Sequence, residues 1–126
     1  MRTPILTPNA PAAIGPYSQA VRMGHTVYLS GQIPLDPASG EMVSADIRTE
    51  TRRVFDNLQA VCAAAGGSLA QVARVGIYVT DLADFADVNA VMAEYFEAPY
   101  PARSTIQVSA LPKGARVEVD AVLVLG

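Results

Sequence analysis

The feature that most limits what this chain can fold into is the order of two hydrophobic periodicities along it. Apolar residues recur with a helical period at Ile47, Thr51, Val54, Phe55, Leu58, Val61, Cys62 and Ala65, and again at Phe85, Val88, Met92, Tyr95 and Phe96. Over 18–22, 26–32, 72–80, 102–108 and 116–125 the pattern instead alternates, as in strands. The order is ββ-α-β-α-ββ. Two amphipathic helices can cover only one face of a sheet, so the pattern predicts an α+β fold with both helices on the same side.

Turn chemistry sets the boundaries. Met23-Gly24-His25 reads as a hairpin tip, and 34–40 (Pro-Leu-Asp-Pro-Ala-Ser-Gly) as a loop. Ser44 or Asp46 can cap the first helix, Gly66-Gly67 ends it, and Asp81 or Asp84 can cap the second. Residues 1–16 are proline-rich and read as extended chain, and Leu111–Gly114 as a turn. Alternation assigns Val27, Leu29, Val75, Ile77, Val79, Ile106, Val108, Val117 and Val119 to the helix-covered face. Tyr28, Ser30, Tyr78, Arg103, Thr105, Gln107, Glu118 and Asp120 fall on the other face. That second face is mixed rather than freely solvated, and the last strand is apolar on both sides. Both observations predict packing against other subunits, with clefts between them.

Composition removes several classes. The 126 residues suit one domain, and 51% are hydrophobic, which favours a buried subunit interface. The net charge is -3 and no basic cluster exists, which argues against nucleic acid as a partner. The single Cys and single His supply no metal-ligand spacing, no disulfide and no Ser-His-Asp or Cys-His set, so no metal or cofactor is expected. Cys62 falls on a core stripe and His25 in a turn. No apolar run approaches membrane-spanning length and no leader pattern is visible, so the reducing cytoplasm is expected.

The chemistry-bearing candidates are few. Arg103 is a lone arginine on a strand, and a guanidinium in a sheltered place suits a two-pronged grip on a carboxylate. The alternative is a structural ion pair, with Glu118 as partner. Glu118 can hold or deprotonate a water, or simply neutralise Arg103 or Arg116. Gly15-Pro16 stiffens a turn that can present the Tyr17 hydroxyl to a pocket, although a packed aromatic is the commoner outcome. Ser30-Gly31 lies at a strand end, where Gly31 permits close approach.

Four segments together resemble the Rid (YjgF, reactive intermediate deaminase) family. They are Asn9-Ala-Pro-Ala-Ala-Ile-Gly-Pro-Tyr-Ser-Gln-Ala20, Leu29-Ser-Gly-Gln-Ile-Pro34, Asp84-Phe-Ala-Asp-Val-Asn89, and Pro101-Ala-Arg-Ser-Thr105 running on to Leu111-Pro-Lys-Gly-Ala-Arg-Val-Glu-Val119. The resemblance spans nearly the whole chain as one Rid-like domain, 1–126. It implies a chorismate-mutase-like fold with a mixed sheet, assembled as a homotrimer with inter-subunit clefts. It also implies hydrolysis of enamines and imines such as 2-aminoacrylate, 2-iminopropanoate and 2-iminobutanoate to 2-oxo acids and ammonia. By the same resemblance Arg103 grips the substrate carboxylate, Glu118 orients water and Tyr17 helps place water or substrate. Ser30 and Gly31 line the cleft, and Asn89 supports it. Thr105 stands where the best-known subgroup has cysteine, with backbone groups there still able to meet the ligand. Two other readings compete with the deaminase. One is a binding module that senses 2-oxo or other small carboxylic acids at the same pocket. The other is a ribonuclease, which the acidic charge and the lone His oppose.

Overall fold

A computed structural model describes all residues, 1–126. Helix α1 (Ile47–Ala64) forms where the first apolar stripe lies. Asp46, rather than Ser44, caps it by accepting from the Thr49 backbone N–H at 2.9 Å. It ends in a Schellman turn: Gly67 N–H donates to the Cys62 carbonyl and Gly66 N–H to that of Ala63, with Gly66 at a positive φ of 88°. Asp81 caps a 3₁₀ turn, Leu82–Asp84, which leads into α2 (Phe85–Tyr95). Phe55 of α1 stacks on Tyr95 (centroids 5.4 Å apart) and meets Phe96 edge-on (5.8 Å), which locks the two helices together.

Both helices lie on one face of a six-stranded mixed sheet. Its strands are β1 (Thr3–Ile5), β2 (Ala20–Met23), β3 (Thr26–Gln32), β4 (Val72–Val79), β5 (Ala102–Gln107) and β6 (Val117–Val124). The spatial order is β1-β2-β3-β6-β4-β5, with only the β4–β5 pair parallel. The core beneath the helices includes Val27, Leu29, Val75, Ile77, Val79, Val117 and Val119, all buried.

The structure corrects two expectations. The proline-rich start is not merely extended chain: Thr3–Ile5 pairs antiparallel with β2. Pro4 is tolerated because β1 is an edge strand, where a missing N–H breaks no inner ladder. The second correction concerns β5, whose faces are the reverse of the expected ones. Its parallel register sets Arg103 beside Val75, Thr105 beside Ile77 and Gln107 beside Val79. Neighbours across a ladder share a face, so these three point to the helix side. Ile106 instead lies on the open face with Tyr78 and is 49% exposed. The expected placement of Ile106 beneath the helices and of Arg103, Thr105 and Gln107 opposite them is therefore wrong. The reason is local. β5 is the other edge strand, and the end of α2 offers polar and aromatic partners there instead of a continuous apolar roof.

Candidate functional site

Two clusters hold the residues singled out from the sequence, and they sit on opposite faces of the sheet.

The first gathers where β5 passes α2. Phe85, Asn89 and Met92 recur at i, i+4 and i+7 on α2 and so share a face. Arg103 Nη1 donates to Asn89 Oδ1 at 2.5 Å and contacts Met92 Sδ at 3.6 Å, and its guanidinium lies 5.3 Å from the Phe85 ring centre. No carboxylate pairs with it, so the structural Arg103–Glu118 ion pair does not exist within one chain. Nε and Nη2 make no hydrogen bond within the chain, which leaves one edge of the guanidinium fork free. The small hollow here, about 280 Å³, is lined by Asn89, Met92, Ala93, Tyr100, Pro101 and Arg103. Two residues along the strand, Thr105 Oγ1 is buried and has no hydrogen-bond partner. Such a hydroxyl is costly unless something else satisfies it.

The second cluster surrounds Glu118. Between Leu29 and Gln32 the β3–β6 register shifts: Leu29 faces Ala121 and Gln32 faces Val119, so Ser30 and Gly31 share the place opposite Asp120. The bulge swings Gly31 onto the Glu118 carboxylate. A Cβ at Gly31 would overlap Glu118 Oε2 and lie 2.9 Å from its Cδ. Ser30 is fixed by donating from Oγ to the Ser18 carbonyl at 2.6 Å. Gly15, at φ 122°, makes the turn that carries Tyr17, and Tyr17 N–H closes it on the Gly15 carbonyl at 2.9 Å. Tyr17, Ser30, Gly31 and Glu118 line one cavity of about 640 Å³, with Ile14, Ile33, Pro112 and Lys113 among its other walls.

Glu118 has no salt-bridge partner. Arg116, the other cation considered for it, binds the buried Glu50 instead, at 2.5 Å. Burial, and secondarily the negative charge of Asp120, push the Glu118 carboxyl above the usual glutamate range. It therefore keeps a proton more readily than an exposed carboxyl would.

Reading the sequence alone missed Gln19. Its buried side chain binds the Thr7, Ala10 and Pro11 carbonyls (3.0, 3.2 and 2.8 Å) and accepts from Thr7 N–H, tying the first segment down beside the cavity. It missed Phe85 as a cation–π partner as well. The visible clue for Arg103 was a polar residue, Asn89, set between Phe85 and Met92 on one helix face. Cys62 is buried in the core, its thiol pushed up to about 11 by burial, and it takes no part in either cluster. His25 is exposed at the hairpin tip. No group of three or more His, Cys, Asp or Glu side chains is placed to hold a metal, and no helix is long and apolar enough to cross a membrane.

Comparison with known proteins gives the family and agrees with the fold. A sequence model of the family described as Endoribonuclease L-PSP matches residues 7–125. A 2-iminobutanoate/2-iminopropanoate deaminase of Dermatophagoides farinae is 49% identical over 121 residues, covering 96% of this chain and 94% of its own. A RutC family protein of Sinorhizobium fredii is 48% identical over 125 residues, covering 99% of both. Among solved structures, RidA from an Antarctic Psychrobacter superposes with a TM-score of 0.95 at 47% identity, covering 98% of this chain and 100% of its own. E. coli TdcF with bound serine does so with a TM-score of 0.94 at 41% identity, covering 98% and 99%. The chain belongs to the Endoribonuclease L-PSP family, also called Rid or YjgF. Some of its relatives carry the imine deaminase name and others only a family name.

Proposed function

We propose that this chain hydrolyses small reactive enamines and imines, of the 2-aminoacrylate, 2-iminopropanoate and 2-iminobutanoate kind, to 2-oxo acids and ammonia. The observation that carries this reading is Glu118: a partly buried carboxyl with no ion-pair partner and raised proton affinity, pressed onto Gly31 beside Tyr17. Imine hydrolysis needs a group that takes a proton from water as oxygen attacks the imine carbon. The same group then passes that proton to nitrogen and takes the remaining hydroxyl proton as the C–N bond breaks, so both hydrogens of the water end on the departing ammonia. A carboxyl whose proton affinity lies nearer to working pH does both better, and such groups contribute about 10²–10⁴-fold.

The substrate's own carboxylate needs an anchor, which we assign to the free edge of Arg103, oriented by Asn89. The imine of pyruvate has so few atoms that a charge-assisted grip of roughly 1.5–3 kcal/mol per hydrogen bond supplies much of its binding. Arg103 and Glu118 lie on opposite faces of one sheet, so we assign the complete site to a homotrimer. There the Arg103–Thr105 edge of one copy closes the Glu118 cavity of the next. Closed rings of head-to-tail contacts repeat one such cleft at every interface. A reducing cytoplasm suits the free, buried Cys62.

The bound serine in the TdcF structure favours a second reading, a binding module for small carboxylic acids without turnover. Glu118→Gln separates the two, because a binder tolerates the change and a deaminase loses rate. RNA cleavage, the activity in the family's description, is disfavoured by a cavity lined without histidine and by the net charge of -3. The direct test generates 2-iminopropanoate from alanine with an amino-acid oxidase and traps it with semicarbazide. Wild type suppresses trapping, and Arg103→Ala does not while remaining folded. Trapping unaffected by well-folded wild type would overturn the deaminase reading.

A further inference from the structure

Two side chains on the open face, Tyr78 and Asp120, belong to neither cluster and yet meet beside Glu118. Tyr78 sits directly across the β4–β6 ladder from Glu118, and Gly76 directly across from Asp120. Tyr78 does not bind its own cross-strand neighbour. Its hydroxyl leans diagonally and donates to Asp120 Oδ2 at 3.0 Å. Gly76 makes this possible: a Cβ there would overlap Asp120 Oδ1 and come within 2.9 Å of Tyr78 Oη. The missing side chain at Gly76 thus leaves the room in which the pair forms, as Gly31 leaves room for Glu118. Asp120 follows Glu118 by two residues on the same face of β6, about 7 Å along the strand. It has no cationic salt-bridge partner.

We propose that Asp120, pinned by Tyr78, is a positioning residue for Glu118: the Tyr78 bond and the gap at Gly76 fix a second carboxylate on the same face of β6, two residues from the one that handles water. The chemical role of Glu118 rests on the deaminase reading above, whereas the coupling of the two carboxyls does not. The other titratable or charged groups facing Glu118 are Tyr78 on β4, Tyr17 on the Gly15 turn and Lys113 on the turn before β6, with Arg74 of β4 reaching the Tyr78–Asp120 pair, its Nη1 3.4 Å from where a Gly76 Cβ would sit. In the assembly proposed above, Arg103 of the neighbouring copy faces Glu118 as well. These cations carry the sign that would lower Glu118's proton affinity, and Asp120 is the group on its own strand that opposes them. Burial acts in the same direction as Asp120 and is the larger cause of the upward shift at Glu118. Removing Asp120's charge should therefore lower the Glu118 midpoint without returning it fully to the ordinary range.

The experiment is a carbon-13 NMR titration of the whole protein labelled at glutamate side-chain carboxyls, with the Glu118 signal assigned by its loss in Glu118→Gln. The Glu118 midpoint in Asp120→Asn is expected at lower pH than in wild type. The acid limb of the kcat/KM profile for 2-iminopropanoate should move the same way. If Asp120→Asn does not assemble like wild type on size exclusion, Asp120→Ser makes the same charge change and carries the test. A Glu118 midpoint that stays put overturns the inference. A midpoint that moves while Glu118→Gln keeps full activity leaves the coupling in place and sinks the catalytic reading of Glu118 instead.

Discussion

Substituting Gly31 by alanine puts the geometry of the Glu118 cavity under the sharpest test. The new Cβ would overlap Glu118 Oε2 and lie 2.9 Å from Cδ and 3.1 Å from Cγ. Ordinary contacts between such atoms run at about 3.5–4.0 Å, so the carboxylate must retreat by on the order of 1 Å. The Gly31 backbone itself is unstrained for alanine, since its φ is not positive. The end of the Glu118 side chain therefore absorbs the clash, and the fold loses no more than the roughly 1–3 kcal/mol of local overpacking. A misplacement of about 1 Å in a group that handles the water costs on the order of 100-fold in rate. At 25 °C that is roughly 2.7 kcal/mol of transition-state stabilisation. The Arg103 edge is untouched, so the loss falls on kcat with KM nearly unchanged. The assay is steady-state suppression of semicarbazide trapping, beside a thermal melt to show that the variant is folded. Gly31→Ala with kcat within threefold of wild type would refute the placement of Glu118 in the chemistry, by the same misplacement argument.

Three further outcomes follow from the same structure. Arg103→Lys should lose nearly as much activity as Arg103→Ala, because a point charge cannot reproduce the two-pronged fork; substantial rescue by lysine would contradict a bidentate anchor. Burial raises the Glu118 proton affinity in the fold, so its ionised form opposes folding. That cost is absent below the unfolded glutamate range and grows as pH rises from there through the folded midpoint, so Glu118→Gln should melt higher than wild type at pH 8 and equally at about pH 3. Equal melting at both pH values would contradict it. Thr105→Val removes a buried hydroxyl that has no partner, so stability should rise by about 1 kcal/mol. KM should increase as well if the hydroxyl is kept for ligand, and reduced stability with unchanged KM would show that it is already satisfied.

Helix α1 was legible because it carries its own punctuation, an Asp46 cap, a Gly66-Gly67 stop and an apolar stripe at one period, and α2 was legible by its stripe and the acidic turn before it. The strands were legible as strands for the same local reason. Which face of β5 meets the helices was not. Alternation says that Arg103, Thr105 and Gln107 point together, but not to which side. The strand offers Ile106 one way and Arg103 the other, and at an edge neither is forced inward. The deciding contacts, Asn89 and Phe85 on α2, lie 14 and 18 residues away in sequence. The pairing of Thr3–Ile5 was hidden by Pro4, which reads as a strand breaker wherever edge position is unknown. Glu118, Tyr17, Ser30 and Gly31 were each visible from local chemistry or family resemblance. The bulge that presses Gly31 onto Glu118 depends on β6 inserting between β3 and β4, and a crossover of that kind leaves no local trace.

The central claim is that one site takes Arg103 from one copy and Glu118 from another, since the sheet separates them within a chain. Co-expression of Arg103→Ala and Glu118→Gln chains in equal amounts tests it directly. Each variant alone should be inactive in the imine-trapping assay. In randomly mixed rings about a quarter of the sites would join an intact Arg103 to an intact Glu118, so the mixture should recover roughly a quarter of wild-type activity. A mixture as inactive as its two components, with mixed assembly verified by differential tagging, would contradict the shared site.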